Sequence, residues 1–271
     1  MKLLIVTQIV DTKDPVLGFF VRWIEEFAKH TEHIEVICLK EGVHNLPANV
    51  QVHSLGKEKG VSRVAYVFNF YKYIWRLRRD YDAVFVHMNP EYIILGGPLW
   101  RLWGKRIALW YTHKSVDAKL RLTELLTHTI FTASKESFRL RTKKLHVMGH
   151  GIDVDFFSPD EKVVRGAAVL SAGRLSPTKR HDLVIRAAEY FTNEVRIIGE
   201  GPERNHLETL AAKLSVASRV HFLGAHTQDE LREEYRKAGV FVHVSETGSL
   251  DKVVLEALAC GLPVITTSDT L

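Results

Sequence analysis

Residues 167–191 read AAVLSAGRLSPTKRHDLVIRAAEYF: a short apolar run, a turn that contains Gly173, and a stretch with apolar residues at helical spacing. An apolar run that leads through a turn into an amphipathic helix is half of a βαβ unit. The same alternation continues in both directions along the chain. It therefore predicts parallel sheets whose strands are buried on both faces by helices.

The predicted strands fall into two series separated by one break. The first series comprises residues 3–7, 34–38, 83–87, 107–111, 129–133 and 145–148, and the second comprises 167–171, 195–199, 219–223, 240–244 and 263–267. Helical stretches lie at 18–31, 63–79, 180–191, 204–214 and 228–237. The break, residues 151–166, is polar and rich in turn residues. It indicates a linker between two Rossmann-like α/β domains, residues 1–158 and 159–271.

The composition is that of an ordinary globular protein, with 271 residues of which 46% are hydrophobic and 25% charged. No run approaches the roughly 18 apolar residues of a membrane span, and the N-terminal apolar run is too short for a secretory signal. Cys38 and Cys260 lie far apart in apolar segments and are typical of reduced core thiols. These features predict a cytoplasmic protein.

The net charge of +5 is concentrated in residues 61–106, with 8 basic and 3 acidic residues. Such a region suits nucleic acid, an anionic membrane or a phosphorylated acceptor, and a solvated basic face is an equal alternative. Within it, the helix 63–79 carries two apolar stripes and a third, largely basic one. The first comprises Val64, Val67, Phe68, Tyr71, Ile74 and Trp75, the second Tyr66, Phe70, Tyr73 and Leu77, and the third Asn69, Lys72, Arg76 and Arg79. A core needs only one apolar stripe. The remaining apolar and basic stripes predict either contact with the inner face of an anionic membrane or a helix wedged between the sheet and a neighbouring helix.

Ligands of doubly wound sheets bind beyond the carboxyl ends of the strands, so the strand-to-helix loops are the candidate sites. The first loop lacks G-x-G-x-x-G, which counts against a nicotinamide or flavin cofactor. It does place Gly18 at the start of the first helix, where a phosphate could approach the backbone. In the second domain, Arg174 and Lys179 flank a turn and can converge on a diphosphate.

The last such loop is HVSETGSLDKVVLEALACGLPVI, in which Gly248 and Ser249 stand at a strand end before a helix. Amides at that helix N-terminus favour an anion, and Ser249 is the predicted N-cap residue. Glu256, inside the helix, could accept hydrogen bonds from vicinal hydroxyls.

Taken together, these stretches resemble the donor-binding domain of retaining glycosyltransferases of family four, which have the two-domain GT-B fold. The segments that carry the resemblance are GRLSPTKRHDLVIRAA, the stretch from IIGEGPERNHLETLA to VFVHVS, and LEALACGLPVI. They match in order and spacing over roughly 100 residues, which is far more specific than any single short motif. The first half resembles the family more loosely, through the Gly18 loop and GHGIDVDFFSP. The resemblance implies two facing lobes with a nucleoside-diphosphate sugar between them.

Roles follow from the resemblance position by position. Arg174 and Lys179 match the basic pair that neutralises the donor diphosphate. Glu256 matches the carboxylate that binds the ribose hydroxyls, and Gly18 the glycine whose backbone faces the phosphates. His113 falls where the family often has a histidine touching the donor sugar, although His87 also ends a strand.

The sequence departs from the family in the donor-sugar loop. Where the family usually has a glutamate, eight residues before the ribose-binding one, this chain has Gly248, and Ser249, Leu250, Asp251 and Lys252 follow. We expect Asp251 or Lys252 to take over sugar recognition, with a different donor preference. The chain also stops at TTSDTL, where the family continues with a further α/β unit and a terminal helix. This suggests a truncated sequence, the alternative being a naturally minimal form.

The sequence thus predicts a retaining hexosyltransferase that uses no metal or other cofactor and acts on a glycan or lipid-linked acceptor, without binding nucleic acid. Two alternatives remain: a degenerate module that holds a nucleotide-sugar without turnover, and an epimerase or glycogen-synthase-like polymerase of the same fold. Asp153 and Asp155 form a D-x-D pair, the metal site of the other large glycosyltransferase fold, but they lie in the linker. No His/Cys cluster has metal-ligand spacing.

Overall fold

The computed structural model describes residues 1–246 and 251–268. The chain divides into two compact units, Met1–Gly149 and His150–Leu271. The division comes earlier than the boundary predicted after residue 158. The reason is that Phe157 is buried in the core of the second unit, with Ile152 and Phe156 packed against that core.

The first unit is a parallel sheet with helices. Its strands are β1 (Lys2–Val10), β2 (His33–Glu41), β3 (Val50–Ser54), β4 (Ala83–His87), β5 (Arg106–Trp110), β6 (Thr129–Thr132) and β7 (Leu145–Val147). Its helices are α1 (Phe19–His30), α2 (Arg63–Arg76), α3 (Pro90–Leu102) and α4 (Ala118–Leu126). The strand order is β3-β2-β1-β4-β5-β6-β7. The strand β3 was absent from the sequence prediction, because this short, partly exposed strand carries no apolar run.

The second unit repeats the plan with fewer strands. Its strands are β8 (Val169–Ala172), β9 (Val195–Ile198), β10 (Val220–Gly224), β11 (Val240–His243) and β12 (Val264–Thr266). Its helices are α5 (His181–Ala187), α6 (Arg204–Lys213), α7 (Gln228–Lys237) and α8 (Lys252–Ala259). The strand order is β10-β9-β8-β11-β12, and the pairings are parallel.

Both sheets have Rossmann-like winding, so the predicted fold class is confirmed. In each, the first strand lies between the second and the fourth, and the strand order reverses beside it. This reversal, between β1 and β4 and between β8 and β11, is the topological switch point at which such sheets bind ligands.

Helices cover each sheet on both faces, as the strand residues show by alternating between two cores. In β1, Leu4 and Val6 belong to one core, and Leu3 and Ile5 to the other. This period of two is what a strand buried on both faces requires. Among the described residues, no helix combines the length and the apolar content needed to cross a bilayer.

The two cysteines are free and buried, Cys38 in the first unit and Cys260 in the second. Burial raises the pKa of both thiols, that of Cys260 to about 11. Both therefore stay protonated at neutral pH, as expected of core thiols.

Helix α2 turns its second predicted stripe toward the core. Phe70 and Ile74 are buried, and the Phe70 ring meets that of Trp100 edge-on at 6.0 Å between centroids. Tyr66 and Tyr73 pack against the same core. The first stripe, apart from Ile74, therefore remains at the surface.

Candidate functional site

The loop after β8 is held by direct backbone packing. Gly173 and Gly199 have φ of 150° and 137°, which L side chains rarely adopt. A Cβ on Gly199 would lie 2.0 Å from the Gly173 carbonyl oxygen, and one on Gly201 would lie 2.2 Å from that of Leu175. Only glycine permits these contacts. They fix the backbone that carries Arg174 and leads to Lys179.

Lys179 takes part in a charged cluster at the switch point of the second sheet. Its Nζ lies 2.5 Å from Oδ2 of Asp251, which also lies 2.6 Å from Nε2 of His243. His243 is the last residue of β11 and is 3% exposed. Lys179 follows β8, so the cluster joins the two strands beside which the strand order reverses. We call Lys179, Asp251 and His243 the switch-point cluster.

Asp251 is ionised in this cluster. Burial alone would raise the pKa of the carboxyl, but the hydrogen bond with His243 and the charge of Lys179 outweigh burial and lower the pKa to about 2. Asp251 is also the N-cap residue of α8, yet its side chain does not cap the helix. The prediction of Ser249 as the N-cap was wrong, because α8 begins at Lys252. An aspartate at an N-cap normally bonds to a helix amide, so this carboxylate serves the cluster instead.

His181 lies beside the cluster and was missed by the sequence analysis. It is 2% exposed, and its Nδ1 lies 3.1 Å from Oγ of Ser171. Nε2 is buried without a hydrogen-bond partner among the described residues, and a Cβ on Gly173 would lie 3.8 Å from it. Burial, together with the charges of His243 and Lys179, lowers the pKa of His181 to about 4. The ring is therefore neutral at physiological pH.

The other predicted cation, Arg174, stands apart from the cluster. It is exposed, and its side chain makes no hydrogen bond or ion pair with the part of the chain that the structure describes. Its neighbour Arg180, with φ of 50°, pairs instead with Asp182 at 3.0 Å and with Glu246. Arg174 is thus the cation on this loop that remains available to an anion.

Glu256 is buried in α8 rather than open to solvent. It is 1% exposed, with Lys252 Nζ 3.3 Å from Oε1 and the Tyr235 hydroxyl 3.5 Å from Oε2. Burial raises the pKa of its carboxyl, against the opposing charge of Lys252. Lys252 thus contacts Glu256 and lies outside the switch-point cluster. The assignment of Glu256 to the ribose hydroxyls stays a prediction.

In the first unit, the predicted residues are separate. Gly18 precedes α1, where a Cβ would lie 2.5 Å from the Asp14 carbonyl oxygen, so its own loop requires a glycine. His113, after β5, is exposed, and its Nδ1 accepts a 3.4 Å hydrogen bond from the Ser115 amide. His87 is buried and stacks on Phe20 at 4.0 Å, a packing role.

The remaining predictions concern the donor-sugar loop and metal binding. Gly248, Ser249 and Leu250 lie outside the described residues. Asp153, of the D-x-D pair, accepts a hydrogen bond from the Phe156 amide at 3.0 Å within its own turn. Across residues 1–246 and 251–268, no group of three or more potential ligands is arranged to hold a metal ion. Independence from metals stays a prediction.

Several solved structures share the fold of this chain. Anabaena Alr3699/HepE, solved in complex with UDP-glucose, superposes with a TM-score of 0.74 at 16% identity, covering 98% of this chain and 80% of that one. WaaG, a glycosyltransferase involved in lipopolysaccharide biosynthesis, gives 0.68 at 15% identity over 97% and 80%. At such identities the likeness establishes the fold class, that of GT-B glycosyltransferases.

The sequence of the second unit matches a known protein family. Residues 156–270 match the family model described as glycosyl transferases group 1. The D-inositol 3-phosphate glycosyltransferase of Mycobacteroides abscessus is 34% identical over 137 residues, which cover 45% of this chain and 31% of that protein. The chain thus matches about a third of the length of this curated relative. The predicted resemblance is confirmed over residues 156–270, which match this family model.

Proposed function

We propose that this chain transfers a sugar from a nucleoside-diphosphate sugar to an acceptor, with retention of configuration. The observation that carries the proposal is the position of Lys179. Its ammonium lies at the switch point of the second sheet, within the segment that matches group 1 glycosyltransferases. A fixed positive charge at the carboxyl ends of the strands is what a diphosphate leaving group needs.

In this mechanism, the residues of the second unit stabilise the departing diphosphate. Lys179 contributes a point charge and Arg174 a planar fork of donors, both aimed at charge that develops as the sugar–phosphate bond breaks. The acceptor attacks from the face that the diphosphate leaves, and a diphosphate oxygen takes the acceptor proton. No protein base and no metal are required. Asp251 recognises the sugar, Glu256 the ribose, Gly18 the phosphates and His113 the sugar again.

The first unit is proposed to bind the acceptor, a glycan or a lipid-linked sugar. A cavity of about 810 Å³ opens where β1 and β4 end, with Gln8 and Asn89 in its wall. Lys57, Arg63 and Glu91 also line it, together with apolar side chains such as Leu55. This mixture of charged and apolar groups suits an amphipathic acceptor. Such an acceptor is compatible with a cytoplasmic protein that works at the inner face of a membrane.

The test is Lys179→Ala, assayed with radiolabelled nucleotide-sugars, UDP-glucose first because Alr3699/HepE was solved with it. We expect transfer to fall by at least about 100-fold, because a preorganised charge at the leaving group is lost. Lys213→Ala is the matched control: Lys213 is exposed on α6 of the same unit, and this variant should keep wild-type activity. Far-ultraviolet circular dichroism should show that both variants are folded. Full turnover by Lys179→Ala would refute the assignment.

The alternative function, binding without turnover, also has an observation in its favour. The Asp251 carboxylate already forms an ion pair with the ammonium of Lys179, and the carboxylate of Glu256 is buried. Calorimetric titration with nucleotide-sugars, alongside assays of donor hydrolysis and transfer, separates the two functions. Binding without either reaction would favour the module.

A further inference from the structure

The outer surface of α2 carries an apolar stripe that the protein core does not use. Val64 is 80% exposed, Phe68 70% and Trp75 56%, and Val67 and Tyr71 are exposed between them. Spacings of three and four residues place all five on one side of the helix. Single exposed apolar residues are ordinary, but a continuous stripe of them on a helix usually marks a contact surface.

The stripe is held in a defined arrangement. The Tyr71 hydroxyl donates a 3.1 Å hydrogen bond to the Leu95 carbonyl on α3, and the Trp75 ring meets that of Trp103 at 5.7 Å between centroids. Leu102, 78% exposed at the end of α3, adds to the apolar surface near Trp103. We call Val64, Val67, Phe68, Tyr71, Trp75 and Leu102 the outer patch.

Basic side chains lie beside the outer patch. Arg63, Lys72 and Arg76 of α2 are exposed, and the Arg78 guanidinium lies 4.8 Å from the centre of the Trp75 ring. The sequence of α2, RVAYVFNFYKYIWR, contains no acidic residue. The outer surface of α2 therefore combines aromatic and aliphatic side chains with positive charge.

We propose that the outer patch docks this protein onto an anionic lipid bilayer, with α2 lying in the plane of the interface. Aromatic and aliphatic side chains at the headgroup level, flanked by cations, are the requirements for such binding. Each lysine or arginine close to an anionic leaflet adds to the affinity. The inference does not depend on sugar transfer. The exposed stripe is the first of the two that the sequence predicts, apart from the buried Ile74.

A second copy of this chain would fit the outer patch less well than a membrane does. A symmetric dimer through α2 would bring Lys72 and Arg76 of one protomer against the same cations of its partner, without acidic residues on either helix. A bilayer instead offers phosphate groups to the cations and an apolar layer to the rings. Charge complementarity therefore favours the membrane.

The experiment is co-sedimentation of the full chain with phosphatidylcholine vesicles, with and without phosphatidylglycerol, at low and high salt. Wild type should sediment with the anionic vesicles at low salt, and binding should weaken at high salt because the charges are screened. Phe68→Ser/Trp75→Ser should lower the partition coefficient by more than about tenfold through lost apolar burial. Lys72→Gln/Arg76→Gln should lower it by about tenfold or more on anionic vesicles.

Tyr190→Ser supplies the matched control, since Tyr190 is 88% exposed on the second unit, and it should bind as wild type does. Lys179→Ala should also bind vesicles normally, which separates this inference from the proposed catalysis. Absence of wild-type sedimentation with anionic vesicles would overturn the proposal. So would unchanged binding by Phe68→Ser/Trp75→Ser, or sedimentation equilibrium showing a dimer that this double variant dissociates.

Discussion

The switch points of the two sheets arise from the same strand order but carry different kinds of side chain. In the first sheet, polar side chains meet there in pairs: Thr7 Oγ1 lies 3.3 Å from His87 Nδ1, and Gln8 donates a 2.7 Å hydrogen bond to Asn89. In the second sheet, the equivalent place holds the switch-point cluster, with its ion pair between Lys179 and Asp251. One winding thus presents hydrogen-bonded polar side chains in one unit and an ion pair in the other.

The difference bears on the proposal that the second unit binds an anionic ligand. Charges that are three-quarters or more removed from solvent are costly to desolvate, and their mutual attraction seldom repays that cost. An aromatic environment like that of His87 would stabilise the fold at lower cost. The charges of the second sheet therefore support the proposal that this unit binds an anionic ligand, and the family match covers residues 156–270 of the same unit.

The largest expected effect concerns the loop that holds the charged edge. Gly199→Ala should lower the free energy of unfolding by about 3 kcal/mol or more, because a Cβ would overlap the Gly173 carbonyl and strain the backbone. Gly104→Ala in the first unit is the control. Gly104 has φ of 68° and open space around it, so about 1 kcal/mol is expected. Urea denaturation followed by circular dichroism measures both. Equal losses would show that the loop relaxes.

The second effect is a dependence of stability on pH that arises from His181. Its pKa is about 4 when folded, below its ordinary value of 6.5, so the unfolded chain binds the proton more tightly. Stability from this group is therefore complete above pH 6.5 and is lost as the pH falls toward 4, by about 3 kcal/mol at most. Asp251, with its pKa lowered to about 2, adds a loss only below its ordinary value of 3.8.

Urea denaturation at intervals between pH 7 and 4 tests this dependence. His181→Gln should flatten the profile, whereas His113→Gln, at an exposed histidine of the first unit, should leave the slope unchanged. A wild-type slope in His181→Gln would place the titrating group elsewhere.

The smallest effect separates two roles for Asp251. Asp251→Asn removes a negative charge beside the Lys179 ammonium, so the affinity for a free nucleoside diphosphate should rise a few fold. If the carboxylate also recognises the sugar, transfer should fall by about tenfold at the same time. Calorimetry measures the affinity for UDP, and a transfer assay measures the rate of sugar transfer. Asp229→Asn, at an exposed residue of α7, is the control. A parallel fall in both would mean that Asp251 orients Lys179 and does not touch the sugar.

Much of the fold could be predicted from the sequence, because hydrophobic periodicity reports burial directly. Every predicted strand overlaps an observed one, and only β3, a partly exposed strand, escaped notice. The orientation of α2 could not be predicted from the sequence, for a different reason. Both of its stripes are apolar, and the choice between them depends on Trp100 and other partners that are distant in sequence.

The candidate site was predicted less completely. Arg174, Lys179 and Asp251 were named from loop positions and from the family resemblance, and Lys179 and Asp251 do meet. His243 and His181 were missed, since His243 ends an apolar strand and His181 is the first residue of a helix, so neither stands out as a site residue in the sequence. A pairing between groups 72 and 8 residues apart, as in Lys179–Asp251 and His243–Asp251, arises only once the sheet is assembled.

The distribution of the two thiols gives the molecule a built-in pair of reporters. Cys38 is shielded inside one unit and Cys260 inside the other, and neither is oxidised to a disulfide. A sulfhydryl reagent can modify each only when the surrounding unit opens, so the two labelling rates measure the opening of the two units separately. Mass spectrometry of labelled peptides would thus assign any loosening, whether caused by ligand, lipid or mutation, to one half of the chain without an added probe.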